Sequence, residues 1–206
     1  MNIELIDGLG LDANGCLTNA NGDAVHLRQG DLDGACGPYC VVMALLALNV
    51  LDSSALPTMN RLDYRTRIGR LFREIERLHD PMVSQGTTME QLEAMFAIYP
   101  NLATRTYADS PSAVLTQVSQ ALADQHPVIV DVTSRKNDGL RHWTLAIGQC
   151  DEFIYLLDPA YELPVGNCWN AVLSRRPQSN RYGYRYINPW INHDVEVNVM
   201  LEVIPR

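Results

Sequence analysis

The sequence predicts an α+β domain in which helices come first and an antiparallel sheet follows. Three observations carry this. An apolar run from Cys36 to about Val50 has the length of a buried helix, not a strand. Segments with helical periodicity and cap signals follow as far as Gln125. From there the texture changes to short runs rich in Val, Ile, Leu and Tyr, the composition of strands. Helices first and strands afterwards is the order of an α+β chain.

Each element has its own reason. In residues 1–27, "MNIELI" alternates, and "DANG" and "NANGD" supply Asn-Gly turns between short strands. Pro38 suits the first turn of the apolar helix, where backbone N–H groups lack intrahelical partners. Residues 59–80 place Leu62, Ile68, Leu71, Phe72, Ile75 and Leu78 on one face, and Asp80-Pro81 ends that helix. "TTMEQLEAMFAIYP" opens with a capping-box pattern, Thr87 with Glu90, and turns Met89, Leu92, Met95 and Phe96 inward. Ser110 and Pro111 stand at the N-cap and first position of another helix. Strands are expected over 127–134, 142–149 and 152–158, the last two joined by a Cys-Asp turn, with tail strands in "YGYRYINPW" and "VEVNVMLEVI". No repeat or linker divides residues 1–206, so one domain is expected.

Composition narrows the function classes. A net charge of −8 over 206 residues argues against a nucleic-acid backbone as partner. No uncharged apolar stretch reaches the ~18 residues of a membrane span, and the N-terminus lacks the basic and apolar regions of a secretory signal. Five irregularly spaced cysteines read as reduced thiols in a cytoplasm; a protein exported by a leaderless route would have the same composition. Zinc ligation by Cys36 and Cys40 with Cys150, Cys168 or His142 would require tighter spacing, so no metal or cofactor is expected.

Chemistry concentrates at three places. Cys36, between Gly34-Ala35 and Gly37-Pro38, opens a helix, and a helix N-terminus favours a thiolate. Taken alone it is equally a small buried hydrophobe, the reading that suits Cys40 one turn later. His142 begins a strand after the polar loop "SRKNDGLR", which would hold an imidazole on rigid backbone beside a cleft; His26, His79, His126 and His193 read as surface or capping residues. Asp158 ends the next strand, and a hairpin would return it beside His142. Its alternative is a plain Asp-Pro turn.

Together, "Q...D.ACGPYC..MAL", "HWTLAIG" and "YLLDPA" resemble the papain-like cysteine peptidases, above all the leader-cleaving peptidases of bacteriocin exporters and their stand-alone relatives. The resemblance covers about a quarter of the chain. It implies a papain-like fold, with the N-terminal helices and the nucleophile at a helix N-terminus packed on the antiparallel sheet, and a bacterial setting. It implies Cys36 as nucleophile, His142 as general base and acid, Asp158 as the residue orienting it, and Gln29 as oxyanion donor. Trp143 would shield the His142–Asp158 bond, and Gly34 and Gly37 would leave room for a peptide. One departure is plain: "GDLDGA" between Gln29 and Cys36 is a residue longer than in that family.

The expected activity is hydrolysis of a peptide or isopeptide bond through a thioester, with a peptide or protein as substrate. The alternatives on the same skeleton are a catalytically silent peptide-binding module and an acyltransferase or amidase.

Overall fold

A computed structural model describes residues 3–30, 35–56, 63–77, 86–134, 141–177 and 183–206. Two-residue strands β1 (Glu4–Leu5), β2 (Gly10–Leu11) and β3 (Leu17–Thr18) precede helix α1 (Cys36–Ala47), which leads to a 3-10 turn at Ser53–Ala55. Helices α2 (Arg67–Arg77) and α3 (Met89–Phe96) follow, then β4 (Leu102–Ala108) and α4 (Pro111–Ala123). Seven strands complete the chain: β5 (Val128–Ser134), β6 (Arg141–Gln149), β7 (Phe153–Leu157), β8 (Ala171–Ser174), β9 (Tyr184–Ile187), β10 (Asn192–Glu196) and β11 (Val199–Pro205).

Local chemistry accounts for most of these elements. α1 is buried on nearly every side, as its all-round apolar composition requires. α3 carries a capping box, but one residue later than expected: Thr88 pairs with Gln91, not Thr87 with Glu90. Ser110 is the N-cap of α4 and Pro111 its first residue, although the serine side chain makes no capping bond. β6 and β7 form the expected hairpin, closed at Cys150 by its N–H to the Phe153 carbonyl at 2.8 Å. Of the expected helix over 59–80, Arg67 to Arg77 is helical and residues 63–66 form a turn ahead of it; residues 59–62 and 78–80, with Pro81, lie outside the described residues.

The sheet is where expectation and structure part. β6 pairs with both β5 and β7, and the chain of pairings β6–β7–β8–β9–β10–β5 returns to β6. Six antiparallel strands therefore close into a barrel. β1 hangs on β6, while β11 and then β4 extend outward from β5. This overturns the papain-like arrangement of helices laid on an antiparallel sheet. The physical reason is the double pairing of β5, which spends one edge on β6 over Val128–Thr133 and reaches β10 at Thr133 and Ser134.

Register separates the inside of the ring from the outside, because directly paired residues share a face and neighbours along a strand do not. His142 lies opposite Val132 and Ala146 opposite Leu156; Leu156 faces Ala171, and Leu173 faces Tyr186. Apart from His142 these residues are buried all round the ring. The other face carries half-buried Val172, Arg185 and Asp194 on β8–β10, with an Arg185–Asp194 ion pair at 3.1 Å, so that face is outside. α1 and α4 both contact β6. Among the described residues, no helix is long and apolar enough to cross a membrane.

Candidate active site

α1 begins at Cys36 and β6 carries His142 as its second residue, so a helix N-terminus and a barrel rim meet there. The Cys36 thiol is in hydrogen-bonding contact with the His142 ring. On the far side of the ring, Nε2 donates to Asp158 Oδ1 at 2.6 Å. With Nε2 committed to the carboxylate, Nδ1 is the nitrogen left for the thiol. The order in space is thiol, imidazole, carboxylate. All three are well covered: Cys36 is 7% exposed, the His142 side chain 12% and that of Asp158 1%.

Burial alone would lower the His142 pKa, but the Asp158 carboxylate and the Cys36 sulfur outweigh it and lift it to about 10. Burial likewise acts to raise the Asp158 pKa; the His142 ring, the Tyr186 hydroxyl and the Ala160 N–H hold it below the usual carboxylate range. The pair is thus suited to hold an imidazolium against a carboxylate. Cys40 is fully buried, and burial, with Cys36 and Asp158 nearby, pushes its thiol well up. It is a core thiol.

Asp158 is held from several directions. Its Oδ1 also accepts the Ala160 N–H at 2.8 Å, and its Oδ2 accepts the Tyr186 hydroxyl. Asn170 brackets its backbone: Oδ1 accepts the Asp158 N–H at 2.7 Å, and Nδ2 donates to the Asp158 carbonyl at 2.8 Å. His26, expected at the surface, instead sets Nε2 3.3 Å from that same carbonyl, and burial lowers its pKa. Asn170, Tyr186 and His26 were not foreseen as part of the site. The one sequence signal was the alternation of "YGYRYI", which marks a strand but not its neighbour.

The remaining expected residues fall in different places. The Gln29 N–H donates to the Pro159 carbonyl at 2.8 Å, so its segment runs beside the Asp158-Pro159 corner. Its Oε1 is buried with no hydrogen-bond partner among the described residues. Gly34 lies outside the described residues. Gly37 is buried, and a Cβ there would come within 2.7 Å of the Thr87 side chain and 3.0 Å of Leu92. Its bare backbone therefore admits Leu92 of α3 and Thr87, two residues ahead of that helix. Trp143 faces away from His142 across the strand, and its indole N–H donates to the Thr87 carbonyl at 2.8 Å. It ties β6 to the approach of α3. Among the described residues no group of three or more His, Cys, Asp or Glu side chains could hold a metal ion.

No protein-family model matches the chain, and no curated protein matches it. Among solved structures, UfSP from C. elegans is similar at a TM-score of 0.49 and 14% identity. The match covers all of this chain and 34% of that one, so this chain spans about a third of its neighbour's length. A likeness this distant assigns neither a fold nor an activity to this chain.

Proposed function

We propose that the chain is a cysteine-dependent hydrolase of peptide or isopeptide bonds, with Cys36 as nucleophile, His142 as base and acid, and Asp158 as the residue that orients His142. The observation that carries this reading is the imidazole held between a thiol at a helix N-terminus and a buried carboxylate. A structural thiol has no need of such an arrangement, whereas acyl transfer uses every part of it.

In the proposed reaction the Cys36 sulfur attacks the amide carbonyl, forming a C–S bond, while the proton is held on the His142 imidazolium. The oxyanion is met by the Cys36 backbone N–H and the Gln29 side-chain amide, each worth about 3 kcal/mol in comparable sites. A half-turn of that amide exchanges Oε1 for Nε2 and presents a donor from the position that now lacks a partner. His142 returns the proton to the leaving amine as the C–N bond breaks. Water, giving its proton to His142, then hydrolyses the thioester and frees the thiol.

The slight exposure of Cys36 favours a second reading, a silent module whose thiol no longer meets substrate. Alkylation separates the two. Exposed Cys16 serves as an internal reference thiol. With iodoacetamide at about pH 6, Cys36 is expected to label about tenfold faster than Cys16 despite its burial, and His142→Ala to abolish the difference. Equal labelling, unchanged in His142→Ala, selects the silent module. A mass-spectrometric search for fragments that accumulate with the active form but not with Cys36→Ala would then identify the substrate.

A further inference from the structure

A carboxylate that orients an imidazole must be fixed in rotation, yet the terminal torsion of an Asp side chain is broad and nearly two-fold. Asp158 Oδ1 is secured by the His142 ring and the Ala160 N–H. That leaves Oδ2 to be held from elsewhere, and the only donor recorded for it among the described residues is the Tyr186 hydroxyl, from β9. The two bonds come from different strands of the ring. His142 and Tyr186 share its inner face, linked through Ala146, Leu156, Ala171 and Leu173.

We propose that Tyr186 is a positioning residue, its hydroxyl clamping Asp158 Oδ2 so that Oδ1 stays on the His142 ring. The phenol is suited to this. It is 2% exposed, and burial together with the Asp158 charge raises its pKa, so the group stays protonated and donates. Its ring is fixed by strand pairing opposite Leu173 and His193, and the Asn188 amide approaches its oxygen at 3.4 Å. A donor to the charged carboxylate favours that form, which in turn supports the imidazolium. Asn170 sets the backbone of Asp158, whereas Tyr186 sets its carboxylate.

The inference builds on the proposed hydrolase, but its test does not require turnover. Tyr186→Phe removes only the hydroxyl. The titration of the His142 ring, followed by NMR in the full-length chain, is expected to move down by about one pH unit, with Cys36 alkylation at pH 6 slowing severalfold. The titratable groups acting on that ring are Cys36 from α1, Asp158 after β7 and Asp131 on β5. In an Asp158→Ala background, Tyr186→Phe should move the His142 titration no further. A lowered melting temperature with an unmoved titration assigns Tyr186 to packing alone and overturns the proposal. Should Tyr186→Phe fail to fold, the unmodified protein decides. Its Tyr186 hydroxyl proton should be shielded enough from water to give a resolved resonance, and lose it in Asp158→Ala; no resonance in the unmodified protein refutes the clamp. If Cys36 labels no faster than Cys16 while the His142 titration still shifts, the hydrolase reading fails and the clamp stands.

Discussion

His142 is pulled in two directions, downward by burial and upward by Asp158 and Cys36, and the upward pull prevails. Its pKa in the folded chain, about 10, exceeds the 6.5 of an unperturbed imidazole. The unfolded chain therefore gives up that proton first as the pH rises. Stability from this group is complete below about pH 6.5 and is lost progressively toward pH 10. Urea unfolding should show the native chain weakening across that window, and His142→Gln should flatten the decline. Asp158 acts in the opposite sense: its depressed pKa contributes stability above the ordinary value of 3.8 that is lost as the pH falls below it. Once a substrate is known, His142→Ala should slow turnover by about 10²–10⁴-fold, measured at saturating substrate. At this scale the sequence was most informative. Cys36, His142 and Asp158 announce themselves by position, at a helix start, a strand start and a strand end. Tyr186 and Asn170 do not, because their part depends on which strand lies beside which, and alternation within a strand is silent on that.

α1 is positioned by what packs against its first turn. The missing side chain of Gly37 lets Thr87 and Leu92 approach, and Trp143 anchors the Thr87 carbonyl from β6. Gly37→Ala should cost about 1–3 kcal/mol in chemical unfolding, the usual penalty of an overfilled core. Trp143→Phe, which loses one hydrogen bond, should cost about 1 kcal/mol and leave the iodoacetamide labelling of Cys36 unchanged. Helices were legible because their signals are local: apolar periodicity, Ser110-Pro111, a cap at Thr88 displaced by one residue. β4 and β8 went unforeseen for equally local reasons. β4 mixes half-buried and exposed residues such as Thr104, Arg105 and Thr106, and β8 is four residues long. "VEVNVMLEVI" reads as one run, whereas the chain breaks it between β10 and β11, which pair differently: β10 with β9 and the end of β5, β11 with β4 and the start of β5.

For the molecule as a whole, the wing of β11 and β4 is joined to the barrel by a charged cluster as well as by backbone pairing. The Glu202 side chain, 1% exposed, accepts Arg105 Nε at 2.7 Å and lies 2.7 Å from His126 Nδ1. Its partners are the more exposed groups, so the costly charge to strand is the carboxylate. Arg105→Ala combined with His126→Ala should destabilise by about 3–5 kcal/mol, and Glu202→Gln by less, since Arg105 can turn to water. Equal losses in thermal or urea unfolding would contradict that ordering. Closure of the sheet was the feature least accessible to sequence reading. Each strand signals its own two faces, but the return of β10 to β5 across nearly sixty residues leaves no mark on either run.

That return also sets an order in time. Cys36, His142, Asp158 and Tyr186 all precede Asn192, where the closing strand begins. A chain emerging from the ribosome therefore carries the whole constellation before it has the strand that joins β9 to β5. Until β10 pairs, Tyr186 lacks the His193 neighbour that flanks it on that side. The ring is thus closed by a strand that follows every member of the constellation in the chain, and the clamp proposed for Tyr186 is complete only once that strand has paired.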